Sequence, residues 1–191
     1  MRGYGVKKIV TTCPHCFNTL KNEYPQFGGD FEVVHHSEFI AQLQAQGKLK
    51  LAGQGAPNGQ AARAGQGKLG GTVTYHDSCY LGRYNNVYAQ PREIVKGALA
   101  DGGRFVEMAR NHGKSFCCGA GGGRMWLEES HGKRINEMRV DQAVETKAET
   151  VVTACPFCLT MFTDGVKAKE LTEKVKTMDL AEVVAGRLKT E

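Results

Sequence analysis

Short apolar runs alternate along the chain with stretches whose apolar positions recur at helical spacing. The runs are rich in β-branched residues and predict strands over residues 7–11, 31–34, 73–76, 104–107, 151–153 and 175–177. The periodic stretches predict helices over 14–22, 37–46, 92–100, 133–146, 156–162 and 180–188. This alternation reads as an α/β layered fold with a mainly parallel sheet, since parallel strands need crossover connections and helices supply them. Folds of this kind place their chemistry in loops that follow strand ends.

The order of elements also repeats. Lys8-Ile9-Val10-Thr11-Thr12-Cys13-Pro14-His15-Cys16 aligns with Thr150-Val151-Val152-Thr153-Ala154-Cys155-Pro156-Phe157-Cys158, 142 residues further on. At the same offset Val33 falls on Val175 and Ser37 on Asp179, each just before an amphipathic run. A strand–CPxC–helix–strand–helix order held at one spacing points to duplication. The second unit has about 80 residues before its CPxC, starting near Thr72, whereas the first has only 12 before Cys13.

The fold is therefore read as a tandem pseudo-repeat whose first unit is incomplete. Residues 1–46 form the C-terminal part of a first domain, 47–71 a flexible linker rich in Gly, Ala and Gln, and 72–191 a complete second domain. The chain is expected to be a piece of a longer protein, or to have its missing half supplied by another polypeptide. The linker glycines do not join a strand to a helix, so they are not read as a nucleotide loop.

Composition adds exclusions. Hydrophobic residues make up 41% and charged residues 24%, as in ordinary soluble proteins. The net charge of +5 counts all seven cysteines as neutral, and no Lys/Arg block is present, so no nucleic-acid partner is expected. No run approaches the roughly 20 apolar residues of a membrane span. The first eight residues lead into no apolar core of a signal peptide. The expectation is a cytoplasmic protein, peripheral to the inner face of the membrane only through a partner or a missing N-terminal segment.

Seven cysteines, an odd number, without an export signal favour metal or redox work over a disulfide framework. Six of the seven sit in three close pairs, unlike scattered buried thiols. The complete unit carries Cys79, Cys117-Cys118-Gly119 and Cys155-Pro156-Phe157-Cys158. In the CPxC element, proline fixes φ at the first helical position and gives up an N–H that would be unpaired there. Cys158 then lies one turn in, beside Cys155, where the helix N-terminus favours thiolates.

Three chemistries compete for these residues: a dithiol pair at Cys155 and Cys158, a zinc site, and an iron–sulfur cluster. Adjacent cysteines diverge, and five donors exceed the four that zinc takes, so Cys117-Cys118 favours the larger cofactor while zinc remains the alternative. Gly119, Gly121, Gly122 and Gly123 would let backbone N–H groups approach a bulky cofactor. Met125 and Trp126 are read either as a shield over the site or as core, and Arg83 and Arg124 as candidate counter-charges. His76 and Asp77 are read as hydrogen-bonding support rather than ligands, and His35-His36 end a predicted strand.

The order Cys79…Cys117-Cys118-Gly119…Cys155-Pro156-x-Cys158 resembles the cysteine-rich CCG domain of the heterodisulfide reductase-like family. The words His76-Asp77-Ser78-Cys79-Tyr80-Leu81-Gly82-Arg83, Cys117-Cys118-Gly119-Ala120-Gly121-Gly122-Gly123 and Met125-Trp126-Leu127-Glu128-Glu129 are most similar to the quinone-linked Fe–S oxidoreductase branch. The resemblance covers nearly the whole chain outside residues 47–71. It implies tandem CCG domains, each binding a noncubane [4Fe–4S] cluster through five cysteines. Only Cys13 and Cys16 of the first set are present here. It further implies an electron-transfer component that works with a flavoprotein or other redox subunit and a quinone or membrane-bound partner.

Overall fold

The computed structural model describes residues 2–51, 69–127 and 132–188, so the middle of the predicted 47–71 linker lies outside the described residues. Strands β1 (Lys8–Thr11) and β2 (Glu32–His35) pair in parallel as a two-stranded sheet. Strands β3 (Thr72–His76), β4 (Arg104–Phe105), β5 (Thr150–Thr153) and β6 (Lys176–Asp179) form a second sheet in the order β4-β3-β5-β6, again wholly parallel. The expected α/β fold with parallel sheets is the observed one. Every residue of β3 and β5 is buried, as continuous β-branched runs require in the middle of a sheet covered on both faces.

The helices are α1 (Pro14–Asn18), α2 (His36–Ala45), α3 (Cys79–Gly82), α4 (Ala89–Gly97), α5 (Ile135–Glu145), α6 (Pro156–Ala168) and α7 (Leu180–Ala185). Several differ from expectation for identifiable reasons. The predicted helix over 14–22 stops being α-helical at Asn18 and passes through a π turn into a 3₁₀ turn over Tyr24–Phe27. Pro25 has no N–H to continue the ladder and disfavours helix at Tyr24 before it. α6 runs six residues past its predicted end at 162, because Gly165 and Val166 continue the buried stripe of Met161 and Phe162. The strand predicted over 104–107 pairs only through Arg104 and Phe105, and the single turn of α3 has no counterpart among the predicted helices.

The two CPxC segments are built alike locally, but the spacing beyond them differs. β1 and β5 and their CPxC turns keep the offset of 142, as Cys13 and Cys155 both occupy the residue before the helix and Pro14 and Pro156 the first helical position. The second strands and their capping boxes match at 144 instead, His35 with Glu38 corresponding to Asp179 with Glu182. The expected pairing of Ser37 with Asp179 is therefore displaced by two residues. The span from the CPxC proline to the start of the next strand is longer in the second unit by that amount, Pro156 to Lys176 against Pro14 to Glu32.

One apolar cluster joins both units, drawing Phe17, Val33 and Ile40 from the first and Val73, Ile94, Val152 and Leu180 from the second. Each such buried side chain contributes roughly 1.5–3 kcal/mol. Leu51 and Leu69, inside the expected linker, are buried in the same cluster, and Leu69 bridges Leu99, so both described ends of that segment are anchored. A second cluster packs α5 and α6 against β5 through Val140, Val151, Phe162 and Val166. A Cβ at Gly165 would come within 2.9 Å of Val140 Cγ2, so α5 lies close on α6 because position 165 has no side chain. Asn136 Nδ2 adds a 3.1 Å hydrogen bond to Met161 O. This contact fixes the rotation of α5 and delivers Arg139 beneath the cysteines. Among the described residues no helix is long and apolar enough to cross a membrane.

Candidate metal centre

β3 and β5 are neighbours, with His76 paired to Thr153 at their C-terminal ends. Cys79 opens α3 just beyond β3, and Cys155 stands before the first turn of α6 just beyond β5, with extended backbone (φ −152°, ψ 123°). Pro156 takes the first helical position and places Cys158 one turn in. The connection after β4 returns Cys117 and Cys118 to the same place.

The five sulfurs of the complete unit converge. Cys118 Sγ is 3.4 Å from Cys158 Sγ in buried surroundings. Cys117 is electrostatically linked to Cys118, and Cys155 to Cys158, each shifting the other's thiol. Cys79 senses the charge of both Cys118 and Cys155. Cys118, Cys155, Cys158 and Met161 form a buried cluster, with Ala120, Met125 and Phe157 packed on it. Met125 thus packs on the cysteine cluster, the shield being one of the two readings open to it. Trp126 is 78% exposed and serves neither as shield nor as core.

The thiols polarise one another in a pattern that asks for a cation. Hydrogen bonds from Cys117, Cys158 and His76 hold the Cys118 thiol far below its ordinary value. The Cys158 thiol, helped by His15, draws Cys155 down to about 5 against the effect of burial. The remaining three move up: Cys117 because it keeps its proton as a hydrogen-bond donor towards Cys118, Cys158 because it serves both Cys118 and Cys155, and Cys79 chiefly through burial. Two thiolates supported by three thiols is what a low-dielectric site permits by itself, and ionising the rest requires positive charge. This donor set fits a polynuclear metal group.

Among the expected glycine contacts, Gly119 is at the sulfurs. Its φ is +97°, its N–H donates to Cys117 Sγ at 3.3 Å, and a Cβ there would lie 3.2 Å from Asn136 N and Met161 Cε. Gly122 and Gly123 have positive φ in the following turn, and a Cβ on them or on Gly121 would meet nothing within 4 Å. These three shape the loop at its open side.

Cys13 and Cys16 stand apart as a pair at the start of α1, the first half-buried and the second exposed. Burial raises the Cys13 thiol, and Cys16 is its sulfur neighbour. His15 between them turns towards the other site. Its ring lies 4.3 Å from that of Tyr80 and 5.3 Å edge-on from that of Phe157, its Nδ1 is 4.0 Å from Cys13 Sγ, and it helps to lower the Cys155 thiol.

The polar surroundings divide into two groups. Asp77 points away from the sulfurs and takes a bidentate pair from Arg92 at 2.7 and 2.8 Å, with the His112 N–H at 2.7 Å. Burial pushes this carboxyl up, but the Arg92 and His112 bonds outweigh it and leave it below the usual range. His76, in contrast, faces the sulfurs, its ligand atom lying within 4.8 Å of those of Cys118 and Cys158. Behind it Arg139 Nε–H donates to His76 Nδ1 at 3.2 Å. Of the arginines expected as counter-charges, Arg83 bonds Ser115 O at 3.2 Å and helps to lower the Cys79 thiol, whereas burial dominates that thiol. Arg139 is a residue at the site that sequence reasoning misses, although it sits with Asn136, Val140 and Ala143 on the i, i+3, i+4, i+7 stripe of α5. A charged residue on that stripe is the available signal.

His35 and His36 are not part of this centre. His35 caps α2, bonding Ser37 Oγ at 2.8 Å and Thr12 O at 3.3 Å, and His36 Nε2 lies 3.6 Å from Asp179 Oδ1, the cap of α7. They join the two units at their matching helix starts.

With these features in place, residues 73–163 match the model of the cysteine-rich domain family called CCG. Over those residues the chain is similar to this domain family. It is 50% identical over 95% of its length to the "EtfAB:quinone oxidoreductase" of Syntrophomonas wolfei, of which it covers 24%. It is 49% identical over 94% of its length to the "Probable iron-sulfur-binding oxidoreductase FadF" of Bacillus subtilis, covering 23% of that protein. Against one subunit of the dihydromethanophenazine:CoB–CoM heterodisulfide reductase of Methanosarcina barkeri, identity is 34% over 96% of this chain and 41% of the relative. The chain thus spans about a quarter of the first two relatives and under half of the third.

Proposed function

We propose that this chain is the cluster-bearing part of an iron–sulfur oxidoreductase, with a noncubane [4Fe–4S] cluster held by Cys79, Cys117, Cys118, Cys155 and Cys158. The observation that carries this reading is the convergence of five sulfurs, two of them favoured as thiolates, at the ends of β3 and β5. Such a cluster, when bound, accepts and releases single electrons. The chain's own residues do the rest. Cys118, Cys155 and Cys158 lie buried with Met161 and keep water from one side, while half-buried Cys79 and Cys117 and the open turn at Gly121 to Gly123 leave the other side approachable. The Gly119 N–H on Cys117 Sγ stabilises negative charge on that sulfur.

The electron partners belong to the same proposal: a flavoprotein or other redox subunit on one side, a quinone or membrane-bound partner on the other. The relatives' names are the support for both. Cys13 and Cys16 would serve a second such site, completed by a segment outside these residues. Peripheral membrane association through a partner goes with this reading.

A zinc site has one observation in its favour, the mutual approach of His76, Cys118 and Cys158. A ligating histidine, however, donates its other ring N–H to an acceptor. His76 Nδ1 instead accepts from Arg139, which puts the proton on Nε2 and removes the lone pair zinc would need. Metal and acid-labile sulfide analysis of the anaerobically purified chain separates the two. Iron with matching sulfide supports the cluster, and one zinc per chain without sulfide defeats it.

A further inference from the structure

Arg139 is fully buried, and its acceptors are His76 Nδ1, Arg110 O, Gln142 Oε1 and Ser115 Oγ, all neutral. Burying a guanidinium among neutral acceptors is costly unless an anion lies within reach. The nearby carboxylate, Asp77, is already engaged by Arg92 and the His112 N–H. The other negative charge that Arg139 senses lies on the sulfur pair of Cys118 and Cys158, 3.4 Å apart, whose shared proximity favours it on Cys118. Burial brings Arg139 down to about 10, so it remains cationic at neutral pH.

We propose that Arg139 and His76 are a positioning pair that sets the electron affinity of the site, with Arg139 fixing His76 as the Nε2–H tautomer so that this N–H donates to the Cys118 sulfur. The proposal rests on the cluster reading above. Nδ1 is occupied by the Arg139 N–H, so Nε2 is the nitrogen left to carry the proton and to meet the sulfurs, with the ring's ligand atom within 4.8 Å of those of Cys118 and Cys158. Reduction of the site by one electron from an external donor adds negative charge that meets a fixed N–H dipole and a fixed guanidinium, and no proton need be taken up. Hydrogen bonds to a charged acceptor strengthen with its charge, so the pair favours the reduced state and raises the potential.

The test is an EPR-monitored redox titration of the whole chain, reconstituted anaerobically with iron and sulfide, as wild type, His76→Leu, His76→Gln, Arg139→Gln and Arg139→Lys. His76→Leu should keep its iron and sulfide but become about tenfold harder to reduce, a fall of roughly 59 mV for a one-electron couple. His76→Gln, which retains an N–H donor, should recover most of that shift. Arg139→Gln should fall in the same direction and Arg139→Lys less. If Arg139→Gln fails to fold, the His76 pair still decides. An unchanged potential in a fully loaded His76→Leu would overturn this proposal alone, and loss of the cluster in that variant would overturn it by making His76 a ligand. A wild type without acid-labile sulfide would overturn the cluster reading and this inference together.

Discussion

Cys118 Sγ lies 3.4 Å from Cys158 Sγ, one on the loop before the glycine turn and one in the first turn of α6. Two thiolates cannot share a buried site at that distance without a cation to hold them. Replacing Cys118 by Ser should therefore reduce bound iron and sulfide to background, whereas Cys16→Ser, at an exposed position in the other pair, should leave them unchanged. Iron and sulfide assays on the two variants check this.

Gly119 and Gly121 make an internal comparison. Alanine at 119 would sit at φ +97° against Asn136 N and Met161 Cε, and should cost about 1–3 kcal/mol. Alanine at 121 meets open space and should change stability by less than about 0.5 kcal/mol. Urea denaturation of the metal-free, reduced variants measures both.

Asp77→Asn weakens one of two bidentate pairs, since Glu107 still accepts from Arg92 at 2.6 and 3.0 Å, and should destabilise the protein by about 1–3 kcal/mol. The sign with pH follows from the lowered carboxyl. Its contribution is present above the unfolded value of 3.8 and is lost as pH falls through the lower folded value. The gap between wild type and variant in urea midpoints should be constant from pH 5 to neutrality and close at the acid end.

His35 is held neutral, down to about 3 by burial and then by the charge of His36, and burial takes His36 to about 4. The unfolded chain binds these protons from pH 6.5 downward and the folded chain does not, so both residues withdraw stability as pH falls below 6.5. Asp179 acts oppositely, since burial raises it to about 6 and its protonation favours the folded state as pH drops from there towards 3.8. Two effects against one leave a net loss of about 1.4 kcal/mol per pH unit between pH 6 and 4. His35→Asn, which retains an N-cap acceptor, should flatten that slope in urea melts of the metal-free protein.

Much of this is legible in the sequence. The β-branched runs before Cys13 and Cys155 mark β1 and β5, and the CPxC turns mark the helix starts after them. What is not legible depends on tertiary contact. The two-residue change in the repeat is visible only once the capping boxes at His35 and Asp179 are seen as equivalents. Trp126 reads as apolar cover by composition, but its backbone follows two left-handed glycines that turn it outward. Arg139 reads as an ordinary charge in a helix, and only the close approach of α5 to α6 at Gly165 puts it under the sulfurs.

The central claim is that one set of five cysteines is sufficient for one cluster. Its most direct test is iron and acid-labile sulfide per chain in the anaerobically purified Cys13→Ser/Cys16→Ser double variant. The account predicts the wild-type content of both. Loss of the sulfide, or its replacement by one zinc per chain, would contradict it.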